Sequence, residues 1–219
     1  VSTKPTNTRG LTTDPDRPDP GRVPGLRLVR LDRTTPEVAL LRQAVLRHRL
    51  APGQTKYTGL PVATLPAADA DPDRFPFAVV RTGVPLTDEV AARDACVGFG
   101  IIERGGALTP LVDAPERAVL LRAYYVTPEW QGRGVGRTAC AAPLLDLLVV
   151  GLAPATAEIV LCVNEANHMA HRVYAGAGYV PTGRRIVGSE GPQLVMSRPL
   201  ATGAHHAPLP RHERTENTQ

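Results

Sequence analysis

Between Val126 and Arg137 the chain reads V-T-P-E-W-Q-G-R-G-V-G-R. Glycines at 132, 134 and 136 let a backbone come close to a ligand, and the first free N–H groups of a following helix point at an anion. An apolar, strand-like run, Ala118 to Val126, leads in, and an apolar helix-like run leads out. A glycine-rich turn so placed is suited to holding phosphates. Its spacing narrows the choice. A dinucleotide fingerprint counted from Gly132 needs a glycine where Arg137 stands, and a P-loop needs a lysine that these glycines lack. What remains is Q-x-x-G-x-G, Gln131 to Gly136.

A second constellation follows another apolar run, Ala157 to Val163. It reads Asn167-x-x-Ala170-x-x-x-Tyr174-x-x-x-Gly178-Tyr179. Ala170 and Tyr174 lie four apart and share one helical face. Gly178 suits a helix C-cap, and Tyr179 begins the next strand. Together the two motifs resemble the GNAT N-acetyltransferase family. The loop is similar to that family's acyl-CoA pyrophosphate loop. The helix is similar to the one that commonly holds an asparagine near the cofactor and a tyrosine near the thiol. The resemblance covers about Gly25 to Leu200.

The resemblance implies acyl transfer from acetyl-CoA, or another acyl-CoA, to an amine. Such a reaction needs a neutral amine, donors for the oxyanion and a proton for the leaving thiolate. Backbone groups around Tyr124, Tyr125 and Val126 would serve the pantetheine and the carbonyl oxygen. The N–H groups of Gln131, Gly132, Arg133, Gly134, Val135, Gly136 and Arg137 would take the pyrophosphate. The side chains of Arg133 and Arg137 either add charge there or stand in solvent. Asn167 serves as a cofactor ligand, a helix cap, or both. Tyr174 is the candidate proton donor. A phenol pKa near ~10 against a thiol near ~8.5 makes full transfer uphill by roughly 2 kcal/mol, so it acts as a concerted or hydrogen-bonded assist. For the general base, the strand Leu120–Tyr125 offers no carboxylate. Glu103, ending the preceding strand, is the nearest candidate; the other readings are a water chain, or no base at all if a neutral amine arrives.

The acceptor is the least determined part. Gln54 and Tyr57 resemble a Q-x-x-[FY] stretch in a branch that includes diamine and polyamine acetyltransferases, which implies a substrate-binding role for both. Asp69, Asp71 and Asp73 cluster just after, although an Asp-Pro-Asp loop is ordinarily a turn. The resemblance implies a small-molecule amine as acceptor, polyamine-like or an antibiotic-like amine of secondary metabolism. Alternatives are a protein N-terminus as acceptor, a non-CoA donor such as an aminoacyl-tRNA, or a non-catalytic acyl-CoA-binding module.

Composition bounds the rest. The length of 219 residues suits one domain with one sizeable core. The net charge of +4 comes from scattered arginines with no dense basic block, so nucleic acid is not an expected partner, although the charge can attract an anionic cofactor. The three cysteines, Cys96, Cys140 and Cys162, are odd in number and lie in apolar segments without metal-ligand spacing. They suggest reduced thiols in a cytoplasmic protein and no metal site. The start of the chain is polar and proline-rich rather than signal-like, and no apolar run is long enough to span a bilayer. A homodimer is left open.

Tails are expected at 1–24 and 201–219, around an N-acetyltransferase domain at 25–200. Strands are expected at 26–31, 75–81, 96–103, 118–126, 157–163, 179–187 and 193–198. Helices are expected from Pro36 to about Arg49, from about Gly134 to Val150 and at 167–177. The long one should kink or break at Pro143. A short helix between Pro61 and Pro66 and another near Asp88 are further expectations. That order gives a mixed α/β fold. In the family it resembles, helices flank both faces of a mostly antiparallel sheet, and the strand before the phosphate loop splays from its neighbour.

Overall fold

The computed structural model describes residues 25–201. The expected tails lie outside the described residues, Ala201 excepted. Seven strands form one sheet: β1 (Leu26–Arg30), β2 (Arg74–Arg81), β3 (Cys96–Glu103), β4 (Ala118–Val126), β5 (Glu158–Asn164), β6 (Val180–Gly188) and β7 (Gly191–Pro199). Their order is β1-β2-β3-β4-β5-β7-β6, and every neighbouring pair is antiparallel except β4 and β5. The mixed α/β expectation holds.

Helices cover both faces. On one face lie α1 (Pro36–Leu46), α2 (Pro61–Asp69) and α3 (Glu89–Ala95). Leu41, Val45, Leu65 and Ala92 seal a core there against Ala78, Val80, Phe99 and Tyr125. On the other face α4 (Val135–Cys140), α5 (Leu144–Val150) and α6 (His168–Gly176) enclose Val119, Leu121, Ile159, Leu161 and Met196. Local chemistry sets the helix starts. The Thr35 hydroxyl accepts from the Val38 N–H at 3.2 Å, and the Asp88 carboxylate accepts from the Val90 and Ala91 N–H groups at 2.9 Å each.

Two departures have simple causes. The helix between Pro61 and Pro66 runs on to Asp69 with Pro66 inside it. The missing N–H at Pro66 would have met the carbonyl of Val62, so one ladder bond is lost, while at the two ends Thr64 N–H meets the Leu60 carbonyl at 3.0 Å and Ala70 N–H the Pro66 carbonyl at 3.2 Å. The long helix expected from Gly134 to Val150 is two helices. Ala141 is already extended, with φ −94° and ψ 168°, and Pro143 caps the second. A buried ion pair ties this break to the last strand. Arg198 of β7 meets Asp146 of α5, and its Nη2 also donates to the Cys140 carbonyl at 3.4 Å. Among the described residues no helix is long and apolar enough to cross a membrane.

Candidate active site

The site begins where β4 and β5 part. They pair only at Ala118–Leu120 with Glu158–Val160. Beyond Leu120 that edge of β4 faces no strand among the described residues, while its other edge stays on β3. A one-residue bulge turns the free half. On β4 two residues, Ala123 and Tyr124, oppose Gly100 alone, and Ala123 takes a left-handed φ of +49°. Glycines on β3 make room for it. A Cβ on Gly98 would come 2.6 Å from the Tyr125 carbonyl oxygen. A Cβ on Gly100 would come 2.6 Å from Phe77 and 3.1 Å from the Tyr124 ring. The V-G-F-G run of β3 was the sequence signal for this bulge.

Past the bulge the alternation of strand backbone decides which groups are free. Thr127 N–H donates to the Val97 carbonyl at 2.9 Å, toward β3. Tyr125 points the same way, so the N–H and C=O of Tyr124 and Val126 point out over the free edge. The Val126 carbonyl accepts from Gln131 Nε2 at 2.9 Å, which folds the loop back onto the strand end. Gln131 thus acts through its side chain. Its own N–H is spent on the Pro128 carbonyl at 3.3 Å, which removes it from the expected set of phosphate donors.

The remaining loop groups fit an anion. Gly132 and Gly134 have φ of +72° and +79°, which favour glycine, and Gly134 caps α4. Among the described residues no N–H from Gly132 to Arg137 donates to another protein group. The Trp130 ring lies between the guanidiniums of Arg81 and Arg133, 4.5 and 5.2 Å from its centroid, and pins the loop's entrance. Arg133 and Arg137 are both exposed. Arg137 lays its stem along α6, where a Cβ on Gly176 would come within 2.9 Å of its Cδ.

The second motif closes the other side. Asn164 ends β5 and organises the turn: Nδ2 donates to the Glu190 carbonyl at 2.7 Å, and Oδ1 accepts from Ala166 N–H at 2.9 Å. Asn167 caps α6 by accepting from Ala170 N–H at 3.2 Å. Tyr174 then faces the cleft in a group of three tyrosines, 6.4 Å from Tyr124 and 5.8 Å from Tyr179 between ring centroids. Two of the three hydroxyls are committed: Tyr124 donates to the Gly136 carbonyl at 2.7 Å and Tyr179 to the Cys140 carbonyl at 3.3 Å. The Tyr174 hydroxyl has no such partner among the described residues. Burial, with the Cys140 thiol close by as a smaller cause, pushes the Tyr174 phenol further above its ordinary value. It stays protonated at any working pH. Sequence reasoning assigned Tyr124 only a backbone role and missed both its ring and Tyr179.

Other expected residues are placed differently. Glu103 is 5% exposed, and its carboxylate is held between Arg122 and Arg74, the latter at 3.2 Å. It pairs across from Leu120, where β4 and β5 are still joined, so the structure does not offer it as a free base. Gln54 accepts from the Ala51 N–H at 2.8 Å through Oε1, which fixes its own turn. Tyr57 is half-buried beside Lys56, whose Nζ is 4.8 Å from the ring centroid. Asp69, Asp71 and Asp73 are engaged with Arg42, Arg74 and Arg104 respectively. The cysteines form no disulfide. Burial pushes the Cys96 and Cys140 thiols up to about 12 and Cys162 up to about 11, where thiolate chemistry is shut off.

Residues 57–179, more than half of the chain, match the model of the acetyltransferase (GNAT) family. The chain belongs to that family. Membership makes it an acetyltransferase with an acyl-CoA donor. It is 29% identical over 141 residues to the Bacillus subtilis (strain 168) "Uncharacterized N-acetyltransferase YbbJ", across 64% of this chain and 80% of that one. Among solved structures it is similar to aminoglycoside acetyltransferase AAC(6')-Ib in complex with coenzyme A and kanamycin. There the TM-score is 0.55 at 18% identity, over 80% of this chain and 95% of that one. It is also similar to spermidine N-acetyltransferase from Vibrio cholerae in complex with CoA and spermine, with a TM-score of 0.51 at 15% identity over 80% and 95% of the two chains. At these identities the two structures bear on the fold.

One residue near the free edge responds to pH. His48 follows α1; its Nε2 lies 3.1 Å from the Cys96 carbonyl and its Nδ1 2.9 Å from the Tyr125 hydroxyl. A carbonyl only accepts, so Nε2 carries the proton and Nδ1 accepts from Tyr125. Burial pushes the imidazole down to about 4, against smaller opposite effects of the Cys96 carbonyl and the Glu129 charge. The folded protein therefore binds a proton here less readily than the unfolded chain. Stability is full above about pH 6.5 and is lost as pH falls toward 4, by about 3 kcal/mol at most. Urea unfolding at pH 7 and pH 5 should show wild type losing more stability than His48→Gln. Equal losses would remove His48 from the acid response.

Proposed function

We propose that this chain transfers an acetyl group from acetyl-CoA to the primary amine of a small molecule. The observation that carries the reading is the free half of β4. Its outward Tyr124 and Val126 backbone runs straight into a loop whose N–H groups are unspent, with Tyr174 across the gap. When bound, acetyl-CoA supplies an electrophilic carbonyl and a thiolate leaving group. The N–H groups of Gly132 to Arg137 hold the pyrophosphate, with Arg133 and Arg137 beside them. The backbone groups of Tyr124 and the Val126 N–H hold the pantetheine arm as a strand would, the Val126 carbonyl being taken by Gln131, and an outward N–H stabilises negative charge on the carbonyl oxygen. Tyr174 holds its proton on Oη, opposite Tyr124, for the departing sulfur. With Glu103 committed to two arginines, the amine arrives neutral or gives its proton to water.

The engaged aspartates bear on the acceptor. A polyamine carries several positive charges and calls for carboxylates that are free to meet them, whereas Asp69, Asp71 and Asp73 each already face an arginine. That favours an acceptor with a single reacting amine on an otherwise uncharged or mixed body. Thiol release from acetyl-CoA, measured with kanamycin, spermidine, simple amino acids and a peptide amino terminus, tests the reading. Release with a small amine above the hydrolysis background is the expected result. Release with the peptide alone would move the acceptor to proteins.

A further inference from the structure

The gap between β4 and β5 opens on both faces of the sheet. On the face that carries α4 and α6 it is lined by Tyr124 and Tyr174, and the loop proposed to hold the donor closes its end. On the other face the core is in two separate pieces. One lies under α1, α2 and α3 and reaches as far as Ile101 and Tyr125. The other lies under the 108–112 stretch and holds Leu120 and Val160, the last pair before the strands part. Arg122 stands between the two pieces, and its side chain is 42% exposed.

Alternation puts it there. Leu121 belongs to the core on the α4 face and Leu120 to the opposite one, and Arg122 follows Leu120. On β5 the matching residue is Cys162, two past Val160 and packed on the same piece of core. Burial raises that thiol, and the Arg122 charge acts on it in the opposite sense from across the gap. Arg122 is therefore the exposed charge at the vertex of the gap, above the buried carboxylate of Glu103.

Neutralising Glu103 does not require Arg122. Arg74 already reaches both carboxylate oxygens, with Nη2 at 3.3 Å and Nε at 3.2 Å, and also meets Asp71 at 3.3 Å. Arg122 adds a bond from Nη1 alone. Two cations then face two anions, so Arg122 brings no surplus charge. It brings an unused edge: its Nε and Nη2 have no hydrogen-bond partner among the described residues. A guanidinium takes a carboxylate through such an edge, by two parallel N–H bonds. Glu103 fixes the other side of the group, so that edge is oriented before anything binds.

We propose that Arg122 binds a carboxylate on the acceptor, which makes the substrate class amino acids and related amines that carry an acid group. This rests on the acetyl-transfer reading above. Tyr124, whose backbone faces the proposed acyl carbonyl, lies two residues beyond Arg122, at most roughly 7 Å along the strand. Amine and carboxylate therefore belong a few bonds apart on one small molecule. A polyamine would meet a like charge at the same place.

Glycine, β-alanine, 4-aminobutyrate and 6-aminohexanoate are each compared with their own amide in thiol release from acetyl-CoA, at equal concentrations of neutral amine. For the best of the four, wild type should show kcat/KM about 10-fold or more above that of its amide. Arg122→Met should bring the ratio close to one, and Arg122→Lys, which keeps the charge without the fork, should fall between. The wild-type ratio is read without any variant. A ratio near one in wild type, or one that Arg122→Met leaves unchanged, would overturn the proposal and leave acetyl transfer standing. Succinyl-CoA outperforming acetyl-CoA on the amides, with that gain lost in Arg122→Met, would overturn it by putting the carboxylate on the donor. Absence of thiol release by wild type with every amine would overturn both readings.

Discussion

Tyr174→Phe should lower turnover by roughly 10²–10⁴-fold, the usual worth of a positioned acid, and leave CoA affinity nearly intact. The substitution deletes one oxygen. The ring keeps its contacts with Tyr124 and Tyr179, and neither neighbour relies on the Tyr174 hydroxyl, since theirs are bonded to Gly136 and Cys140. A large effect on rate with a small one on stability therefore isolates the hydroxyl. The raised pKa sharpens the expectation. Full proton transfer from a phenol held above its ordinary value to a thiolate is more costly than the free groups imply, so the help comes as the sulfur departs. Single-turnover rates on a true acceptor decide it. A Phe variant with near-wild-type chemistry would make Tyr174 a packing residue.

Replacing Gly134 by valine should lower CoA affinity on the order of 10²-fold. At φ +79° and ψ −9° a β-branched residue is strained, and relief of that strain rotates the peptides on either side. Those peptides carry the unspent N–H groups. Loss of two charge-assisted hydrogen bonds at about 1.5 kcal/mol each is on the order of 10²-fold in affinity. The fold should survive, because Gln131 and Trp130 anchor the loop from its other end. Calorimetry beside a melting curve separates the two. Wild-type affinity in a folded Gly134→Val protein would place the pyrophosphate elsewhere.

The framework of the fold was legible because strands and helices here obey local rules. β3 and β4 span the expected residues, and Pro143 marks the break in the long helix. Motif spacing likewise led to the glycine-rich turn before α4 and to a helix carrying Tyr174, both of which are present. What stayed hidden was directional. Glu103 ends a strand beside the central one, and nothing local says that Arg74 and Arg122 converge on its carboxylate from two different strands. Gln131 lies in a motif expected to offer backbone donors to phosphate, yet its side chain reaches back to the Val126 carbonyl and its own N–H goes to Pro128. His48 looks like the frayed end of a helix until Tyr125, 77 positions later, is brought against it. Such contacts depend on how the sheet folds over on itself.

The parting of β4 and β5 leaves a seam in the middle of the sheet, where most sheets keep their raw edges at the rim. From Leu121 to Val126 a run of strand backbone, bulged at Ala123, lacks a companion strand on one side among the described residues. A seam of that kind admits only a slender, extended guest with hydrogen-bonding groups along its length. The pantetheine arm is such a guest, and so is a stray length of unfolded chain. A donor bound there, as proposed, would act as a stopper as well as a reagent: at a hundred times its Kd it would add about 2.7 kcal/mol to the folded state. Protein stripped of CoA during preparation should clump sooner on warming than the same protein kept in it, with no change in a single covalent bond.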